Sequence, residues 1–562
     1  MRRAALLGAC TGAALLPVGP PLGVYPLVFV AFVPLLRAAD SRYGPGGAAL
    51  AGWVAGAIFY AGVFDWAAPA IARLQGIDPG AAWCLFALFA ALHAAQFALA
   101  GALIALLARN GGRRAVAAGG CGARGARGGD GAPPSIQNAD LHALPNIGRA
   151  SRAAAVWVLL EWSVPKVFPW SIGAALGPDP LLRQGADLGG VYGLSGLIML
   201  VNGLLATASE RRIGRRRRLA AAIAAAVLLA LARGYGAWRM PPPTSARAGV
   251  HVAVAQGGIA PDGADAGAAA ERALATYVAL SRGTAAAADL LVWPESALPV
   301  YLRDNDVVVD RLGALLDDIR RPLLLGALDR RDHDGGELNA AYLLVPGATL
   351  PTATYHKVTL LPFGEFVPGA ALWSRLQRWQ TTGDFRPGER SAPIDVDARK
   401  LPLRLAPSIC FEAIVPGAFN AHVRAGAELL VNLTDDGWFA SEKAAAQHLE
   451  LTRLRAVETR RWLVRASNSG ISAFIDPAGH IAASLPVGAV GVLSHLIDPR
   501  STATPYVVWG NWMLPLCAAV VALSFRGWSA QRLGCRHGIA SRGRTAAPRL
   551  GPRRESSSAR RR

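Results

Sequence analysis

Lysine is almost missing from this chain. Of 58 basic residues only four are lysine, at positions 166, 357, 400 and 443, and the other 54 are arginine. Generic positive charge is thus written as arginine, and a lysine at a special place invites a chemical reading, because a compact, deprotonatable ammonium is not interchangeable with a guanidinium. Charge is scarce as a whole: 17% of residues are charged and 52% hydrophobic, with a mean hydropathy of +0.30. That balance excludes a wholly water-soluble chain and points to a membrane protein carrying a soluble part. The net charge of +20 comes from "ERRIGRRRR" at 210–218, a Gly/Arg stretch after 109 and a tail from Arg526 to Arg562. All three flank apolar runs, as cytoplasmic anchoring of membrane helices requires, so the charge does not call for nucleic acid.

Cysteine is scarce too. Cys10, Cys84 and Cys517 fall in apolar runs, where a thiol is a small hydrophobe; Cys121 and Cys535 lie in the Arg-rich stretches. Cys410 alone lies in the long polar region, which therefore holds no internal disulfide. There is no HExxH, no CxxC and no clustered His/Asp set, so no metal is expected. No GxSxG occurs; "YGLSG" at 192–196 departs from it inside an apolar run. The glycines of 110–150 fit neither GxxxxGK[ST] nor a strand-led GxGxxG, so no phosphate loop and no cofactor are expected. No internal repeat is visible, and "NLT" at 432–434 is an isolated glycosylation triplet.

Apolar windows are present at 4–18, 21–37, 47–64, 81–108, 153–171, 188–208, 219–235 and 505–525. Several approach the roughly 20 residues needed to span a bilayer. Eight spans with Met1 inside put Arg37, Arg42, the 109–152 stretch, 210–218 and the tail on one side, satisfying the positive-inside rule. Residues 236–504 then lie outside the cytoplasm. The expected partition is membrane helices over 1–235 with a disordered insertion at 110–150, an outer domain over 236–504, a last span at 505–525 and a disordered tail at 526–562.

The outer region alternates strand-like and helix-like stretches. "GVHVAVAQ", "ADLLVWP", "PLLLGAL", "NAAYLLVP", "TATYHKV", "LPLRLAPSIC", "AELLVNLT", "WLVRASN", "ISAFIDP" and "HIAASLP" read as strands. Helical patterns lie near 266–283, 306–320 and 441–461. This is a layered α/β pattern.

Three ionisable residues fall at strand ends: Glu295 after "LLVWP", Lys357 after "ATYH" and Cys410 after "LAPSI". Strand ends are where an α/β sheet gathers reactive groups. A thiol is a strong nucleophile once deprotonated; a carboxylate takes its proton, and an ammonium favours the thiolate and an oxyanion. The trio is a kit for acyl transfer. His356 and His448 are rival bases for Cys410, although His356 on a strand points away from the face that carries Lys357, and His448, on a helix, reads as a packing or hydrogen-bonding residue. Phe363, Phe366, Trp373 and Trp438 are candidates either for lining an acyl path or for ordinary core.

"WPESALP" (293–299), "YHKVTLLPFGEFVP" (355–368), "SICFEAIVP" (408–416) and the stretch from "NLTDDGWF" to "DPAGH" (432–480), with "EWSVPKVFPWSIG" (161–173) and "ADLGGVYGLSGLIMLVNGLLA" (186–206), resemble the apolipoprotein N-acyltransferase family, the membrane branch of the nitrilase superfamily. The resemblance implies a multi-pass α-helical membrane bundle of about eight spans joined to an αββα-sandwich nitrilase-like domain outside the inner membrane. It implies Glu295 as general base, Lys357 as transition-state stabiliser and Cys410 as nucleophile, with Glu365 and Glu412 as supporting acids. The implied reaction moves a fatty acyl chain from a phospholipid to the α-amine of a diacylglyceryl-modified apolipoprotein through a Cys410 thioester, by a monomer in contact with membrane lipids. Phe411 stands where the family usually has tyrosine, and the segment after "AQGGIAPDG" lacks the Asn, Lys and Trp expected there. A membrane-tethered amidase or nitrilase with the same trio, and a transporter with an outer binding domain, are the competing readings. Few charges (Asp65, Glu161, Asp187) enter the apolar runs, which disfavours the transporter.

Overall fold

The computed structural model describes residues 1–40, 43–122, 145–240, 249–259, 266–332, 335–348, 351–369, 385–389, 392–398 and 401–525. The tail from 526, Trp373, residues 260–265 and residues 123–144 of the 110–150 insertion lie outside the described residues.

Among the described residues four helices are long and apolar enough to cross a membrane: Gly44–Val63, Pro79–Ala108, Leu182–Ala208 and Arg215–Arg239. The remaining windows fall on shorter or interrupted helices. Arg2–Leu15 covers the first. Tyr25–Ala38 covers the second. The helix Pro145–Ser163 stops within the fifth window, where Pro165 and Pro169 follow and remove backbone donors. The last window breaks at Gly510, whose φ is +58°, before Met513–Phe525 resumes. Small residues let the bundle close. A Cβ on Gly52 would stand 2.1 Å from the Phe97 carbonyl oxygen, so the Gly44–Val63 helix touches its neighbour backbone to backbone.

The second half contains two sheets. The first holds β1 (Val250–Gln256), β2 (Leu290–Val292), β3 (Leu298–Tyr301), β4 (Leu323–Arg330), β5 (Glu337–Leu344), β6 (Ala353–His356) and β13 (Gly491–Ile497), in the order β13-β1-β2-β4-β5-β6 with β3 beside β4. The second holds β7 (Ile394–Ala398), β8 (Leu401–Ile409), β9 (Leu429–Thr434), β10 (Leu463–Ser467), β11 (Ser472–Ile475) and β12 (Ile481–Leu485), in the order β12-β11-β10-β9-β8-β7. The centres are parallel (β1-β2-β4 and β8-β9-β10) and the edges antiparallel.

Alternation assigns the faces. Val250, Val252 and Val254 of β1 meet Leu429, Val431 and Leu433 of β9 in one core between the sheets. Ala253 and Ala255 turn outward onto the helices Ala266–Thr284 and Asp306–Ile319. On the far side Ala406 and Leu430 pack under the helix Glu442–Thr459. Strands apolar on both faces are what a sheet covered on both sides needs, and the result is the expected αββα sandwich.

Leu451, Leu454 and Val457 of the Glu442–Thr459 helix belong to the same apolar cluster as the membrane helices. At that seam the fully buried Asp187 accepts from Arg460 (2.7 Å), Arg239 (2.7 Å) and Tyr235 (2.7 Å). The Gln447 amide donates to the Val63 carbonyl at 2.8 Å, and Lys443 reaches Asp65 at 2.7 Å.

Candidate active site

β2 runs through Trp293 and Pro294 into Glu295, and the chain turns at Ser296 with φ +50°. β4 runs alongside as the parallel neighbour of β2: a Cβ on Gly326 would stand 2.4 Å from the Pro294 carbonyl oxygen and 2.7 Å from the Glu295 Cα, so only glycine lets Glu295 sit this close to the sheet. β6 ends at His356, and Lys357 is pinned at both backbone ends. Its N–H donates to the Asn339 carbonyl at 2.9 Å and its carbonyl accepts from Gly388 at 2.7 Å. β8 ends at Ile409, and Cys410 opens a 3₁₀ turn in the left-handed region with φ +49°. A non-glycine residue held there costs on the order of 1–2 kcal/mol. Cys410 is buried and free of any disulfide.

The turn straddles two cores. Cys410 belongs to the cluster between the sheets, and Phe411 belongs to the cluster of the membrane bundle. The two clusters therefore meet along one peptide bond.

The expected residues come together. Lys357 Nζ, 2% exposed, donates to Glu365 Oε1 at 2.7 Å and to Glu295 Oε1 at 3.4 Å. Burial pushes the ammonium toward neutrality, but Glu365 and Glu295 more than offset it and hold its pKa well above the ordinary value; Cys410 adds to the same effect. The Cys410 thiol is pushed up, first by burial and then by the Glu295 carboxylate, while Lys357 and the Thr434 hydroxyl pull it down. The resting sulfur is thus a neutral thiol with a carboxylate and an ammonium beside it. Glu365 Oε2 is fixed by the Leu361 N–H at 2.8 Å.

Glu412 has a different place. Its Oε1 accepts from the N–H groups of Val358 (2.7 Å) and Thr359 (2.9 Å), its Oε2 from the Ile409 N–H (2.8 Å), and both oxygens from the Tyr355 hydroxyl. It ties the segment after Lys357 to the turn that carries Cys410.

His356 pairs with Asp329 at 2.8 Å, away from Lys357. His448 sits behind Cys410, with Nε2 3.2 Å from its carbonyl oxygen and Nδ1 2.7 Å from Asp436. Neither histidine is bonded to the thiol. Phe363 and Trp438 are exposed, and the loop of Trp438 is held on the bundle by Arg73, which donates to the Gly437 carbonyl at 2.8 Å and to that of Trp438.

Two residues of the site have no expectation in the sequence. Asn339 Nδ2 bridges Glu295 Oε1 (2.8 Å) and Glu365 Oε1 (3.4 Å), joining the two carboxylates through one amide. The Asp435 N–H donates to Glu295 Oε2 at 3.0 Å, and burial raises the Asp435 carboxyl to about 6. A polar residue opening the apolar strand "NAAYLL" and the paired acids of "NLTDDG" were the available signals. Among the described residues no group of three His, Cys, Asp or Glu side chains forms a metal site.

Residues 251–506 match the carbon-nitrogen hydrolase family, and residues 11–204 match the apolipoprotein N-acyltransferase N-terminal domain. An apolipoprotein N-acyltransferase of Geobacter metallireducens is 32% identical over 541 residues, 93% of this chain and 96% of that protein. A protein of the same name from Gloeobacter violaceus is 34% identical over 408 residues, 68% of this chain and 72% of that one. A solved amidase from Nesterenkonia sp. is 20% identical, with a TM-score of 0.35 over 45% of this chain and 91% of its own. The chain belongs to the apolipoprotein N-acyltransferase family.

Proposed function

We propose that this membrane protein is an N-acyltransferase that moves a fatty acyl chain from a phospholipid to the N-terminal amine of a diacylglyceryl-modified apolipoprotein, with Cys410 as the acyl carrier. The observation that carries the reading is the buried Glu295–Lys357–Glu365 cluster beside a thiol whose turn is shared with the membrane bundle. A lipid ester and a lipid-anchored amine both live at the bilayer surface, so a nucleophile adjoining the bundle meets both.

In the first half-reaction the Cys410 sulfur attacks the ester carbonyl as Glu295 takes the thiol proton. The resulting oxyanion faces the Lys357 ammonium and the Phe411 N–H. Collapse breaks the ester C–O bond, Glu295 returns the proton to the leaving oxygen, and lysophospholipid departs. In the second half the acceptor amine attacks the thioester, Glu295 takes an amine proton, the C–S bond breaks and the thiol is restored. A covalent carrier lets one site serve two bulky substrates in turn. Glu365 and Asn339 keep Lys357 and Glu295 in register, and Glu412 holds the nucleophile turn against the Lys357 segment. Eight spans, a cytoplasmic Met1 and an extracytoplasmic 236–504 domain at the inner membrane complete the reading.

Intact mass after exposure to phospholipid tests it. The wild-type protein should gain one acyl group, removed by hydroxylamine and absent from Cys410→Ala, with lysophospholipid released. No adduct, or ammonia released from small amides with no lipid product, would overturn it in favour of a carbon-nitrogen hydrolase.

A further inference from the structure

The imidazole behind Cys410 is bonded at both ends to atoms that only accept. Asp436, 2.7 Å from His448 Nδ1, also takes Arg465 at 2.7 Å on its other oxygen. Burial opposes its charge, yet Arg465 and His448 hold the Asp436 carboxyl well below the usual carboxylate range, so it is ionised and cannot donate. The second partner, the Cys410 carbonyl 3.2 Å from Nε2, has no proton to give either. A neutral ring would carry one N–H and turn a lone pair on one of these two acceptors. Burial and Arg465 oppose the second proton and lower the His448 pKa, while Asp436 raises it; the geometry, with acceptor-only atoms 2.7 Å from Nδ1 and 3.2 Å from Nε2, assigns a proton to each nitrogen. The charges facing it are Asp436 and Arg465, and Arg465 is itself tethered to Asn432 Oδ1 at 2.7 Å. Asn432 Nδ2 adds a longer contact of 3.4 Å to the same Cys410 carbonyl.

That carbonyl is one end of a planar peptide unit whose other end is the Phe411 N–H. In a trans peptide the two dipoles point in opposite directions. Gripping the oxygen from behind fixes the direction of the N–H in front, and donation to the oxygen polarises the N–H further. The Phe411 N–H lies in the first turn of a 3₁₀ helix, where no intrahelical acceptor exists for it.

We propose that His448 is a positioning residue of the oxyanion site: through the Cys410 carbonyl it orients and strengthens the Phe411 N–H that receives the charge formed on the acyl oxygen. This rests on Cys410 being the acylated residue. It accounts for a fully buried His–Asp–Arg chain that never touches the thiol, and for the left-handed Cys410 that presents its carbonyl rearward.

The test separates acyl attack, which forms an oxyanion, from alkylation, which does not. Full-length protein in detergent is given p-nitrophenyl butyrate and the nitrophenolate burst is timed; in parallel Cys410 is alkylated with iodoacetamide and followed by mass. His448→Ala should slow the burst on the order of tenfold or more with the alkylation rate unchanged within about twofold. His448→Gln, whose side-chain amide can still donate to the carbonyl, should recover most of the burst. A His448→Ala protein with a wild-type burst overturns the proposal. So does a parallel fall in burst and alkylation in both variants, which would mark a purely structural residue. A wild-type burst without any phospholipid-derived adduct would sink the lipid reading and leave this proposal standing; no wild-type burst at all sinks both.

Discussion

At the scale of single residues the site is a balance of burial against charge. Lys357 keeps its proton because two carboxylates surround it. Its pKa is raised, so the stability it contributes is fully present below the ordinary lysine range and is lost only as pH rises past it. Asp435 has the same sign at lower pH, but there burial favours the neutral form. Its carboxyl is raised from 3.8 to about 6 by burial, aided by Glu295 and Asp436 and opposed by Asn468 and the Gly437 N–H. The folded state therefore prefers the protonated form, and stability falls as pH climbs from about 4 to about 6, by up to about 3 kcal/mol. Asp435→Asn removes that dependence. Thermal unfolding in detergent should show the variant gaining on wild type between pH 4 and pH 7, whatever fixed cost the new amide brings. An unchanged difference in Tm across that range would show that Asp435 does not titrate there. Lys357 was legible in the sequence through the scarcity of its type, Glu295 and Cys410 through their place at strand ends. Asn339 was not, because an asparagine in a strand carries no mark of what it will bridge once β5 lies beside the Glu295 turn.

At the scale of elements, the strands that form the sheet centres were readable because they are apolar on both faces. β3, β7, β13 and the helix Asn420–Arg424 were not among the expected elements. β3 contains Pro299, β7 sets Asp395 and Asp397 among its residues, and β13 is half-exposed along most of its length. Edges and short pieces satisfy their neighbours rather than a pattern of their own. The join between elements is where Glu412 acts. Its two oxygens take three backbone N–H groups and a hydroxyl from β6, β8 and the segment between Lys357 and Thr359. Glu412→Gln keeps the shape but turns one oxygen into a donor that must face a donor, at about 1–3 kcal/mol. A lower Tm together with slower thioester formation is the expected outcome. A variant that acylates at the wild-type rate would show that the tie between the Lys357 and Cys410 segments is dispensable.

At the scale of the whole molecule the two halves are one body. Asp187 in the bundle is neutralised by Arg460 from the domain and Arg239 from the next helix of the bundle, all at the seam, and breaking such a buried pair costs several kcal/mol. The proposed sidedness of that body rests on charge. The helix Arg215–Arg239 begins with four consecutive arginines, the first three of them exposed, and arginine is held on the cytoplasmic face. The chain continues from the other end of this helix into β1, as the proposed place of the sandwich on the opposite side requires. Two exposed positions test this in a variant stripped of its cysteines except Cys410: Val307→Cys, on the outer helix of the sandwich and 69% exposed, and Arg216→Cys. In intact spheroplasts a membrane-impermeant maleimide should label the first and spare the second, and lysis should expose both. The reverse pattern would place the thiol of Cys410 in the cytoplasm, out of reach of any acceptor that has already crossed the membrane, and the acyl-transfer reading would fall with it.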